Sequence, residues 1–300
     1  LHSSNHKSGY LFSGWLIIFY IGIIIHYINK NFKHRMDIPL SYYISIWMIA
    51  LFVGILLISS LETGFRIGYA RHHAEQAQIS ESSKIALSSL LLVLGLILAF
   101  TFNASVQRYE ARKASGIEEA NAIGTLFYFA NYLQEPDRST LRNTIHEYAK
   151  TRTTTDLQFE SIEHVETLII QSMALQDEII NQTAQAIEIN RAPGLETWLI
   201  RGMSGVINAH TKRAGIVNDT LPFSLILLQL LIATVALGFA GYMSGISGTF
   251  SRWQIYALTF CLFCVIMTAQ DFDRGIDGFI RTNQNSMDNI VSRMSERLNS

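Results

Sequence analysis

The chain has 300 residues, of which 49% are hydrophobic and only 16% charged, with a formal net charge of -1 at pH 7. Soluble domains average about 25% charged residues, so the deficit argues against a soluble enzyme, and the balanced charge excludes the basic field that nucleic-acid binding requires. The apolar residues are gathered into runs long enough to cross a hydrocarbon core of about 30 Å, which takes roughly 20 helical residues. Backbone groups in lipid must pair within their own segment, so the runs predict helices and an all-α, polytopic membrane protein.

In chain order the predicted spans are residues 11–28, 42–61, 84–103, 221–243 and 252–269. The first run is followed by Lys30, Lys33, His34 and Arg35 and not by a small-residue cleavage site, so it is not expected to be a removed signal peptide. An interfacial helix is the alternative to a true span there. With residues 104–220 inside, the inner flanks carry ten basic residues (Lys30, Lys33, Arg35, Arg108, Arg112, Lys113, Lys212, Arg213, Arg274 and Arg281) against five outside (Lys7, Arg66, Arg71, Lys84 and Arg252). The positive-inside rule therefore predicts that residues 104–220 and 271–300 are cytoplasmic.

The corresponding organisation is an amino-terminal extra helix and linker at 1–40, a first helix pair at 41–103, a helical cytosolic domain at 104–220, a second pair at 221–270 and a tail at 271–300. Residues 62–83 and 245–248 ("GISG") read as loops between spans. Ile117, Ala120, Ile123, Phe127 and Ala130 follow steps of three and four, which predicts that the 84–103 span continues into the cytosol as one helix. "QEPDRS" breaks that pattern at Pro136, and a second helix is expected near Ser139, with its hydroxyl as cap. Ile162, Val165, Ile169, Met173 and Ile180 mark a further amphipathic helix, ended by "NRAPG", and "NDTLP" marks re-entry into the membrane. Gly241 and Gly245, preceded by Gly238, form a small-residue face expected to pack closely on another helix.

Few residues carry a chemical signature. Cys261 and Cys264 lie inside "YALTFCLFCVIMTA", where a zinc ion would lack further ligands, so they are expected to pack. His72 and His73, near Glu62 and Glu75, have no recognisable metal-ligand spacing. No nucleotide-binding glycine loop, catalytic carboxylate pair or nucleophile motif is visible, so no catalytic residue, cofactor or metal is expected.

One junction stands out. In "AFTFNASVQRYEARK", residues 99–113, an apolar span passes into a charged helix without a turn signal. The stretch "EEANAIGTLFYFANYLQEPDRSTLRNTIHEYAKTR", with "ETGFRIGYAR" upstream and "QDFDRGIDGFIRTNQNSM" downstream, resembles the prokaryotic bestrophin-like membrane proteins over residues 62–290. The junction is also similar, more distantly, to that of true bestrophins, in which a pore-lining helix enters the cytosol with a Phe, an Asn three residues on and an Arg five further. Phe100, Asn103 and Arg108 fit that spacing; the aromatic pair that follows in bestrophins is reduced to Tyr109, and the extra first helix is a departure.

The resemblance implies a bestrophin-like helical bundle with long membrane-to-cytosol helices, assembled with itself as a pentamer in the lipid bilayer of a prokaryotic inner membrane and conducting small inorganic ions. It implies a hydrophobic pore neck at Phe100, with Leu96 and Leu92 one and two turns up the same face. Glu110, Arg112 and Lys113, following Arg108, would form charged rings at the cytosolic mouth, and the alternative is pairing along the helix. Asp271, Asp273 and Asp277 lie where animal bestrophins have an acidic calcium site, although Ile276 and Thr282 occupy the positions where a calcium loop wants Gly and Glu. Two rival readings are a non-conducting scaffold or accessory subunit, built on the same packing faces, and a secondary transporter. The transporter is opposed by the lack of an internal repeat and of charges deep within a span.

Overall fold

The computed structural model describes residues 45–75, 79–153, 162–189, 194–247, 252–274, 280 and 285–299. Among these residues every regular element is a helix: α1 (Ile46–Glu75), α2 (Glu81–Ala130), α3 (Asp137–Thr153), α4 (Ile162–Ile189), α5 (Leu195–Asn218), α6 (Phe223–Ser247), α7 (Arg252–Arg274) and α8 (Asn285–Leu298). The expected span at 11–28 lies outside the described residues. Among the described residues four helices, α1, α2, α6 and α7, are long and apolar enough to cross a membrane.

The 50 residues of α2 are one uninterrupted helix, as the spacing predicts, and at 1.5 Å per residue it is about 75 Å long. It begins where Ser80 accepts a hydrogen bond from the Ser83 amide through its side chain (3.2 Å), satisfying one of the free amides of the first turn. No proline interrupts it, and its two halves bury different partners. In the membrane half, Leu94 and Leu98 pack with Val53 and Leu57 of α1, Ala233 and Leu237 of α6 and Ile266 of α7. In the other half, Ile123, Leu126 and Phe127 pack with Leu141, Ile145 and Tyr148 of α3, Leu199 of α5 and Met294 of α8. One rigid rod therefore belongs to both cores.

Helix α1 does not stop at residue 61. It continues to Glu75, so most of the expected loop 62–83 is helical. The reason lies in packing: Gly64 and Gly68 bring the α1 backbone against Gly238 and Tyr242 of α6, while Gly241 and Gly245 receive Leu61 and Phe65. A methyl group at Gly64 would collide with the Gly238 carbonyl oxygen, and one at Gly241 with the Leu61 carbonyl oxygen. The expected small-residue face of α6 thus has its counterpart on α1, and Ser60 adds a hydrogen bond to the Thr234 carbonyl across the contact (2.7 Å). The same contact keeps Gly245 to Ser247 helical, where a turn was expected.

Two local expectations change. The α3 amino terminus is capped by Glu135, whose carboxylate accepts the Ser139 amide (3.1 Å), while the Ser139 hydroxyl donates to the Pro136 carbonyl (3.0 Å). Among the described side chains of α4, which do not include Ile162 and Val165, the buried positions are Ser172, Ile179, Thr183 and Ala186, whereas Met173 is 55% exposed. Ser172 and Thr183 are polar, so a stripe read from apolar residues alone comes out rotated about the helix axis.

Candidate functional site

Along the membrane half of α2, Leu94 and Leu98 are 1% and 7% exposed, whereas Leu92, Leu96 and Phe100 are 75%, 55% and 65% exposed. The helix therefore has one face packed inside the subunit and an opposite apolar stripe, at spacing of four, that the subunit leaves uncovered. The stripe continues into the polar half of the helix, where Asn103, Gln107 and Glu110 are all exposed. The face changes from apolar to polar between Phe100 and Asn103.

Arg108 and Arg112 of the junction are turned the other way. Arg108 Nε lies 3.4 Å from Asp219 Oδ2 and 3.9 Å from Asp273 Oδ1. Arg112 is buried and donates to the backbone carbonyl of Phe272. Asp273 in turn accepts the Leu221 amide through both carboxylate oxygens (3.1 Å each). Phe272 meets Phe102 and Tyr109 edge-on, at ring-centre distances of 5.8 and 5.4 Å. These contacts form a collar that fastens the membrane exit of α2 to the end of α7 and to the α5–α6 connection. Of the charges expected at a mouth, Glu110 and Lys113 are exposed, while Arg112 faces into this collar.

Asp271 and Asp273 lie in the last turn of α7, which runs to Arg274 and past the expected span end at 269, and both are occupied structurally. Asp271 accepts the Ile280 amide (2.9 Å) and Asp273 the Leu221 amide; Asp277 lies outside the described residues. No group of three metal-ligating side chains occurs among the described residues. His73 lies against the Tyr69 carbonyl (3.1 Å) and its neighbour His72 (5.6 Å between rings), and Glu62 meets the Tyr256 hydroxyl. Cys264 is half-buried and Cys261 is exposed on the surface of α7.

Sequence reasoning missed a second cluster, five turns below Phe100. Glu119 is fully buried on α2. Its carboxylate receives Arg152 Nε of α3 (2.9 Å) and Arg213 Nη1 of α5 (2.5 Å). His210 Nδ1 lies 3.6 Å away, and the Tyr148 hydroxyl lies 3.4 Å from the carboxylate and 3.1 Å from His210. Burial alone would raise the Glu119 pKa, but the His210 hydrogen bond and the charges of Arg152 and Arg213 outweigh it and hold the carboxyl well below the usual carboxylate range. The neighbouring Glu118 instead forms an exposed pair with Lys212 (2.5 Å). A signal existed: Ser115, Glu119 and Ile123 follow at steps of four on the face that carries Phe127.

Comparison with solved structures finds the same fold. A bacterial bestrophin homolog from Klebsiella pneumoniae superposes with a TM-score of 0.61 at 13% identity, covering 85% of this chain and 98% of that one. A single-substitution variant of that homolog gives 0.64 at 13% identity, covering 85% and 99%. The chain has the bestrophin fold. A further structure, described as a membrane protein, gives 0.57 at 13% identity, covering 84% and 98%. No family model matches the chain, and no curated protein sequence matches it. With four apolar helices among the described residues and this bestrophin fold, the chain is an integral membrane protein.

Proposed function

We propose that the chain is a subunit of a homo-oligomeric ion channel, a pentamer by its resemblance, in which α2 from each subunit lines a central path for small inorganic ions. Residues 104–220 and 271–300 lie on the cytoplasmic side of a prokaryotic inner membrane in this reading. The observation that carries it is the uncovered stripe of α2: Leu92, Leu96 and Phe100 above, Asn103, Gln107 and Glu110 below, on a helix whose other face is packed. A ring of subunits turns that stripe inward. The three apolar residues then form a neck that gates by dewetting, since an ion passing them loses hydration and gains no ligand. The polar residues beneath them form the wettable exit.

The test is ion flux and single-channel recording of the purified oligomer in liposomes, with the triple variant Leu92→Ala, Leu96→Ala and Phe100→Ala beside the wild type. Widening the neck is expected to raise flux by about tenfold or more, because the dewetting barrier falls with radius. Equal flux from both proteins would return the stripe to the lipid-facing surface. A ring that passes no ion under any voltage, pH or calcium concentration would favour the scaffold reading.

A further inference from the structure

Glu119 is a buried carboxylate in the cytosolic half of α2 that the neck and collar do not use, yet it lies on the same rod, 19 residues from Phe100 or about 28 Å along the axis. Its partners come from two other helices, Arg152 from α3 and Arg213 from α5. A buried ion cluster is a poor way to gain stability, since apolar replacements of similar volume often do as well, but it tolerates very little displacement. The apolar core around Ala120, Ile123 and Phe127 already holds these helices together. The ion cluster adds registry.

The geometry points to Glu119 as a positioning residue for the membrane exit of α2, an inference that rests on the reading of α2 as the wall of the ion path. The link is α5. Arg213 grips Glu119 and, six residues later, the same chain supplies Asp219 to Arg108 and then the Leu221 amide to Asp273. The Glu119 clamp and the Arg108 collar are thus joined twice, through α2 and through the end of α5. Seating Arg213 on Glu119 fixes the height at which α5 ends, and this sets where Asp219 and Leu221 meet the collar. Release of the clamp frees that end of α5 and lets α2 tilt beneath the neck. Around Glu119 the other charged or titratable groups are His210 and Tyr148 within the clamp, and the exposed Glu118–Lys212 pair beside it.

Hydrogen exchange of the purified oligomer tests this without requiring conduction, because the Leu221 amide is itself a collar hydrogen bond. Glu119→Gln keeps the shape and removes the charge. It is expected to speed exchange at Leu221 by about tenfold, leave amides 57–68 of the α1–α6 contact at wild-type rates, and change flux per oligomer by about threefold at an unchanged reversal potential. Arg213→Lys, which retains the charge, serves if that variant does not assemble, and is expected to move exchange at Leu221 in the same direction by about twofold to threefold. Faster exchange confined to residues 115–123, 145–153 and 206–216, with Leu221 unchanged, would overturn the inference. So would faster exchange at Leu221 with unchanged flux per oligomer. A wild-type oligomer that passes no ion would sink the channel reading, while exchange at Leu221 still decides whether Glu119 holds the collar.

Discussion

Glu119 and Arg213, 94 residues apart in the chain, meet at 2.5 Å in an interior that excludes solvent from the carboxylate altogether. Arg152 shares the same carboxylate, so removing Glu119 takes a buried partner from two guanidinium groups at once. Glu119→Ala is expected to destabilise the subunit by about 3–5 kcal/mol, the usual consequence of breaking a buried ion pair by removing one partner. Thermal unfolding of the purified protein would measure it, and a loss below about 1 kcal/mol would mean that solvent reaches the site.

The same carboxyl gives the fold an acid limit. Its folded pKa is depressed, so its contribution is complete above the ordinary carboxylate range and is lost as pH falls through that range toward the folded value. Glu119→Gln has no proton to gain. Its stability is therefore expected to change less than that of the wild type between about pH 6 and pH 3, with the two curves converging at the acid end. Parallel curves from thermal unfolding across that window would exclude Glu119 as the titrating group.

The α1–α6 contact makes a sharper steric prediction. A methyl group at Gly64 or Gly241 meets backbone, which cannot rotate away, whereas one at Gly95 meets nothing within 4 Å. Gly64→Ala and Gly241→Ala are each expected to cost about 1–3 kcal/mol. Gly95→Ala is expected to be neutral or slightly stabilising, since alanine is the better helix former by about 1 kcal/mol. Thermal unfolding in one detergent ranks all three, and an equal response would show that the two helices separate freely.

In the collar, the two acidic partners of Arg108 differ in exposure: the Asp219 side chain is 64% exposed and that of Asp273 only 8%. Asp273→Ala removes a buried acceptor of the Leu221 amide as well as a charge, and is expected to cost about 2–4 kcal/mol. Asp219→Ala is expected to cost less than about 1 kcal/mol, as exposed pairs do. Unfolding measurements that reverse this order would mean that Arg108 is held mainly by Asp219.

The sequence by itself determined the membrane class, the helical content and the path of α2, because lipid burial demands long apolar runs and a proline-free periodic stretch has no reason to break. It also marked Gly241 and Gly245 as a contact face and spaced Leu92, Leu96 and Phe100 along one side of a helix. Tertiary structure decided which side is uncovered, since the same spacing describes a packed stripe equally well until Leu94 and Leu98 are seen in the core. It also decided the fate of the charges. A local reading offers Arg112 and Glu119 only their neighbours along the helix, but their partners, Phe272, Arg152 and Arg213, stand 160, 33 and 94 residues away. Electrostatic partnership acts through space, and only the packing of α3, α5 and α7 on α2 brings those groups within reach.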